Sequence, residues 1–422
     1  MNVKYNIIVN TVNAGLKVYA HCLPKTVKHK FPEFVKGRMG LIGRIYKAME
    51  SAPSGRPVAW FHASSLGEYA IARPLIARLN ADGEATVVVS FFSPSGYRVL
   101  KDHHPGVDYV FYLPLDTRKN VRGFLDAIKP AVAVFLVSEY WPNMLQQLKF
   151  NAVPTYLVSA IIRDDSPFFK WYGKIYRKAL LTYKRFFVLD ENSMFNLQAL
   201  GCDNVTLSGD PLFDNAALIA RTPWTDAVLE KMAARGPLFM AGSVSDSNDL
   251  NMVAEAINER PGLRAVIVPH DVSRKSVEAI RKAFSGKCAV YSECDESTDL
   301  SHTQVLVIDC VGKLAYMYRY ASFAYVGGGF TPLLHSVIEA TVYGLPVSFG
   351  PRIERKVTPK QLIELGIGQM VTSGGELGQW IDSMNPEKLE ETRRIAERYV
   401  DRNLGATEEI VKTIERSLWR KN

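Results

Sequence analysis

The chain has 422 residues, of which 47% are hydrophobic, 22% charged and 11% aromatic. That profile excludes a disordered, collagen-like or disulfide-scaffold protein, and the length calls for two or three separate cores. The formal net charge of +8 is accounted for by residues 1–47, where nine Lys/Arg face Glu33 alone, while the remainder holds 42 bases against 42 acids. This argues against a nucleic-acid-binding surface spread over the whole chain and leaves a local basic arm to be explained.

From Val3 to Leu23 the apolar run is broken by Asn6, Asn10, Asn13, Lys17 and His21, with Ile8, Val12, Leu16, Tyr19 and Leu23 on the opposite side of a helix. A signal peptide needs an uninterrupted apolar core and a spanning helix needs about 20 apolar residues. Neither is present. The spacing predicts an amphipathic helix ended by Pro24 and followed by Lys25, Lys28, Lys30, Lys36 and Arg38. It fits a monotopic anchor with a polybasic flank, and equally a helix docked on the protein's own core. The five cysteines, at 22, 202, 288, 294 and 310, form no C-x-x-C and have no His partner at zinc-ligand spacing. Free thiols in a reducing compartment are expected, with no structural zinc.

Beyond Pro57, short apolar runs alternate with helical stretches. Val58–His62, Thr86–Phe91, Tyr109–Tyr112, Val132–Leu136, Thr155–Ser159 and Phe186–Leu189 read as buried parallel strands. A second series follows Pro211–Pro223: Leu238–Ala241, Ala265–Val268, Val305–Ile308, Phe323–Val326 and Pro346–Phe349, closed by a helical run over Pro386–Trp419. This alternation predicts two Rossmann-like, doubly wound α/β domains facing a cleft, with ligands at the C-terminal strand ends. The boundary falls near 210–225, at Gly209, Pro211 and Pro223. The dinucleotide fingerprint G-x-G-x-x-G and the Walker loop are both missing, which lowers dehydrogenase and NTPase readings.

The strand-end loops carry the candidate chemistry. His62-Ala-Ser-Ser-Leu-Gly-Glu68 contains a capping-box spacing, Ser65-x-x-Glu68, which reads as a helix cap or as a carboxylate poised for general-base work. Ser138-Glu-Tyr-Trp-Pro-Asn143 puts Glu139 at a second strand end and starts a helix at Pro142. Ala241-Gly-Ser243, Pro269-His270 and Gly327-Gly-Gly329 end strands in the second half, where backbone N–H groups meet phosphates. His335-Ser-Val-Ile-Glu339 predicts His and Glu on one helical face, too few ligands for zinc, and no D-x-D triplet is present to hold a magnesium-bound diphosphate.

Taken in order, these segments, with Ser159-Ala160 and Arg163, Gly209-Asp210, and Phe213-Asp214, resemble the Kdo transferases, from about Lys36 to beyond Gly350. These are GT-B glycosyltransferases that build the lipid A–core junction of lipopolysaccharide. The resemblance implies transfer of Kdo from CMP-Kdo to a hydroxyl of a lipid A precursor (lipid IVA), with inversion and without metal or other cofactor. It makes Glu68 the general base and sets Ser64, Ser65, Gly67, Glu139, Trp141 and Arg163 toward the acceptor. Gly242, Ser243, His270, Gly312, Gly328, Gly329, His335, Ser336 and Glu339 would hold the donor, Glu339 at the ribose. It further implies a membrane-associated segment over 1–47, an acceptor domain over 48–215, and a CMP-sugar domain with a closing helix over 216–422. The expected location is the cytoplasmic face of the inner membrane. The rivals are a GT-B enzyme using another nucleotide sugar and a non-catalytic lipid A-binding relative. The chain departs from the usual family pattern at Val137, Leu212, Thr331–Leu334 and Ser336.

Overall fold

The computed structural model describes residues 3–21, 30–102 and 105–419. The expectations for Cys22, Leu23, Pro24, Lys25 and Lys28 lie outside the described residues.

Two parallel sheets organise the chain. The first contains β1 (Val58–Ala63), β2 (Thr86–Phe91), β3 (Tyr109–Tyr112), β4 (Val132–Leu136), β5 (Thr155–Ala160), β6 (Arg185–Val188) and β7 (Val205–Leu207), in the order β3-β2-β1-β4-β5-β6-β7. These strands are Val- and Phe-rich because helices cover both sheet faces. Alternation sends Trp60, Val88 and Phe135 to one core and Phe61, Val89 and Val134 to the other.

The second sheet contains β8 (Leu238–Val244), β9 (Arg264–Pro269), β10 (Cys288–Val290), β11 (Val305–Val307), β12 (Phe323–Val326), β13 (Val347–Phe349) and β14 (Gly368–Met370). Its order is β10-β11-β9-β8-β12-β13-β14. Strands β7, β10 and β14 are not expected from sequence: each has three residues and is only partly buried, so it lacks the apolar run that marks the equally short but fully buried β11 and β13. In each sheet the order reverses beside the first strand, between β1 and β4 and between β8 and β12, where open α/β sheets bind ligands.

The chain divides into two compact units, residues 1–214 with 404–422, and residues 215–403. The single closing helix expected over 386–419 is two helices, Pro386–Asn403 and Ala406–Leu418. Gly405, at φ 93°, breaks the run, and the Asp214 carboxylate caps the new start by accepting the N–H groups of Gly405 and Thr407, both at 2.7 Å. The last helix belongs to the first unit. Its Ile410, Val411, Ile414 and Leu418 join the core of Leu75 and Val134, and Arg78 pairs with Glu408 at 2.7 Å.

The N-terminal helix spans Val3–His21. Its amide face turns inward: Asn143 donates to Asn6 at 2.9 Å, and Tyr5 donates to the buried Asp116 carboxylate at 2.7 Å. Val3, Ile7, Ile8, Val12 and Val18 are each at least half exposed, the reverse of a helix docked through its apolar side. Among the described residues no helix is long and apolar enough to cross a membrane.

Part of the expected basic flank is internal. Arg38 donates to the carbonyls of Leu113, Phe34 and Phe92 at 2.8–3.0 Å and sits 3.8 Å over the Phe34 ring. Burial lowers its pKa to about 9.

Candidate active site

In the first unit, β1 ends in Ser64 and Ser65, and Ser65 is the N-cap of the helix Leu66–Leu79. The capping geometry differs from the reciprocal box that the spacing predicts. The Glu68 N–H reaches Ser65 Oγ only at 3.4 Å, while Glu68 Oε2 accepts the Ser64 N–H at 2.5 Å, one residue before the cap. Gly67 is exposed, and a Cβ there would meet only Ser65 Oγ, at 3.9 Å.

The β4 loop delivers a second carboxylate. Ser138 N–H closes on Leu136 C=O at 2.8 Å around Val137, which sits at φ 62°, a strained three-residue turn for a β-branched residue. Glu139 follows and is buried. One of its oxygens accepts the Ser64 hydroxyl and the other the Trp141 indole N–H. Its backbone carbonyl accepts Tyr183 OH at 2.6 Å. His62 Nε2 stands 3.4 Å from the same carboxylate, and His62 Nδ1 lies 2.9 Å from Ser90 Oγ. Burial first, and the Glu139 charge second, push the Glu68 carboxyl up to about 7, against the opposing Ser64 N–H.

The sequence-predicted residues Ser64, Glu68, Glu139 and Trp141 thus form one hydrogen-bonded cluster at the β1/β4 reversal. Arg163, after β5, turns to Asp165 at 3.3 Å instead. The sequence reading did not single out Ser90 or Tyr183 as parts of this cluster. Neither lies in a strand-end motif, and each acts from behind, Ser90 through its hydroxyl and carbonyl on His62 and Tyr183 through its hydroxyl on the Glu139 carbonyl.

In the second unit, Gly242 and Ser243 lie just before β8 ends at Val244, with Ser243 at φ 55°. Ser245 Oγ donates to the Ser243 carbonyl at 2.8 Å, so it accepts from His335 Nε2–H, also at 2.8 Å, which fixes that ring's tautomer. His270, after β9, packs against His335 with ring centroids 4.6 Å apart and the planes tilted by 36°. Burial, then the charges of His270 and Lys356, lower the His335 pKa to about 4, leaving it neutral at pH 7.

Asp249, unmarked by any motif, ties these loops together. It is fully buried and accepts Tyr325 OH at 2.5 Å, Gly328 N–H at 2.7 Å and Ser245 N–H at 3.0 Å. Its place three residues after the N-cap Asp246 is the available sequence signal. Gly328 requires its lack of side chain: φ is 86°, and a Cβ would fall 2.5 Å from the Leu333 carbonyl.

The expected helical face for His335 and Glu339 is corrected by the structure. The helix spans only Ile338–Thr341; the Thr331–Leu333 turn and the His335 N–H bond to Gly327 C=O at 3.1 Å hold His335 and Ser336 in a loop. Glu339 is half-buried without a hydrogen bond or ion pair among the described residues, and burial pushes its pKa up. Ser336 is exposed, and Gly312 lies in open space before the helix Leu314–Met317. Among the described residues no three His, Cys, Asp or Glu side chains converge as a metal site would need.

Two doubly wound units, each with polar side chains gathered at its strand reversal, define an α/β architecture of the GT-B fold class. Solved structures agree at the level of fold. The UDP-GlcNAc 2-epimerase from Neisseria meningitidis bound to UDP-GlcNAc aligns with TM-score 0.61 at 14% identity, over 86% of this chain and 100% of that one. MurG of Acinetobacter baumannii aligns with TM-score 0.53 at 14% identity, over 86% and 99%.

Sequence relatives are more specific. Residues 35–215 match the family model for 3-deoxy-D-manno-octulosonic-acid transferase (kdotransferase). The 3-deoxy-D-manno-octulosonic acid transferase of Chlamydophila psittaci is 26% identical over 75% of each chain. That of Bordetella pertussis is 28% identical over 75% of this chain and 76% of its own. That of Aquifex aeolicus is 24% identical over 78% and 86%. Residues 35–215 therefore match a Kdo transferase domain, and over about three quarters of its length the chain is similar to glycosyltransferases of that name.

Proposed function

We propose that the chain transfers Kdo from CMP-Kdo to a hydroxyl of a lipid A precursor, with inversion and without a metal. The observation that carries this reading is Glu68: a carboxylate at the end of β1, oriented by the Ser64 N–H and raised to about 7. A group tuned there takes a proton near neutral pH far better than an ordinary carboxylate. Glu68 accepts the acceptor hydroxyl proton as that oxygen attacks the anomeric carbon of Kdo, and CMP leaves with the bonding pair of the broken C–O bond. Ser64, Ser65, Gly67, Trp141 and Arg163 line the acceptor side. Glu139, both oxygens already engaged, acts by holding Ser64 and supplying the second negative charge.

Gly242, Ser243, His270, Gly312, Gly328, Gly329, His335 and Ser336 receive the donor. A neutral His335, held by Ser245, offers directed hydrogen bonding, and the Glu339 carboxylate, without a partner among the described residues, suits two ribose hydroxyls. The outward apolar side of helix Val3–His21 supports a peripheral or monotopic position on an anionic membrane, on the cytoplasmic side where a nucleotide sugar is supplied. The test is incubation of the full-length protein with CMP-Kdo and a tetraacylated lipid A precursor, with products read by mass spectrometry. One or more added Kdo masses are expected. An unchanged acceptor, together with consumption of another nucleotide sugar, would establish the other-donor reading instead.

A further inference from the structure

The loop after β13, residues 350–356, carries Arg352, Arg355 and Lys356 against Glu354 alone. It is fastened to the glycine loop that ends β12. Arg352 N–H donates to the Gly329 carbonyl at 2.8 Å, and the Gly350 backbone lies so close that a Cβ on Gly329 would fall 2.5 Å from Gly350 N. Lys356 N–H then closes the turn on Ile353 C=O at 2.9 Å.

Lys356 is half-buried and makes no ion pair or side-chain hydrogen bond among the described residues. Two acids of the neighbouring loops are committed elsewhere. Asp249 holds Tyr325, Gly328 and Ser245, and Asp271 is taken by Ser273 and Ser276. A solvated surface lysine would point its ammonium into water and keep its ordinary pKa. Here burial lowers it, and its charge acts on the His335 ring. An ammonium in that position is costly until an anion meets it.

We propose that Lys356 is a direct contact for the phosphate of the nucleotide donor, completing a cradle with His270, His335 and the Gly327–Gly329 loop. The proposal rests on the donor reading above and adds a cation outside every segment that carried the family resemblance. A compact ammonium on a flexible stem is suited to a single phosphate as a point charge.

The test compares the full-length protein with Lys356→Gln and Lys356→Arg, measuring calorimetric affinity for CMP and for cytidine, which shares the base and ribose but lacks the phosphate. Lys356→Gln is expected to weaken CMP binding about tenfold or more while cytidine binding stays within about twofold, and Lys356→Arg retains most of the CMP affinity. CMP affinity unchanged in Lys356→Gln, or equal losses for CMP and cytidine, would overturn the phosphate contact alone. Failure of the unaltered protein to bind CMP at all would overturn the donor reading and this contact with it.

Discussion

At the scale of single residues, the informative pair is Glu68 and Glu139. Burial and a neighbouring carboxylate raise Glu68 from 4.5 to about 7, so the base form is the minor one below neutrality. The kcat/KM for transfer is expected to rise about tenfold per pH unit up to about 7 and then level. Glu139→Gln removes the neighbouring charge while keeping the side chain's shape, and the acid limb is expected to move down by about one unit. A merely structural Glu139 would lower the rate without moving the limb. The same shift has a stability consequence. Because the folded pKa exceeds the unfolded one, the native state binds more protons between about 4.5 and 7, and stability is lost as pH rises through that window. Glu68→Gln, which relieves this loss, is therefore expected to stabilise at pH 8 by about 1 kcal/mol after solvent screening, with almost no gain at pH 4. Thermal melts at the two pH values check it.

At the scale of elements, the strand-to-helix loops hold the candidate site residues because parallel strands deliver their C-terminal ends to one edge. Gly328→Ala is expected to destabilise the second unit by about 1–3 kcal/mol, from positive-φ strain and the clash with Leu333, and to abolish CMP binding. A melt and a CMP titration measure both effects. Long apolar runs such as Thr86–Phe91 and Val132–Leu136 were legible from sequence because burial on both faces demands them. Glu68 and Ser64 were legible as a strand-end motif, but a spacing of three could not reveal that the carboxylate bonds the residue before the cap. Asp249 and Lys356 were invisible because their roles depend on loops brought together by sheet order, and a lone charged residue in sequence reads as surface. The helix expected across His335 failed for a local reason: Pro332 and the turn around it delay the helix to Ile338.

At the scale of the whole molecule, two formally similar sheets present different side chains at their strand reversals, while the N-terminal helix breaks the usual rule of burying its apolar side. The +8 excess is also less free than the sequence implies, since the half-buried Arg38 guanidinium is held by three carbonyls. Membrane attachment is therefore expected to depend on apolar contact as much as charge. Replacing Ile8 and Val12 by Glu should release the protein from anionic vesicles in flotation even at low salt, whereas high salt alone should release the unaltered protein only in part. The central claim, that Glu68 is the base of a Kdo transfer, is tested most directly by the single-turnover rate of Kdo transfer to a tetraacylated lipid A precursor, unaltered protein against Glu68→Gln. A rate loss of about 100-fold or more with CMP affinity retained is the predicted result. Transfer by Glu68→Gln at the unaltered rate would contradict it.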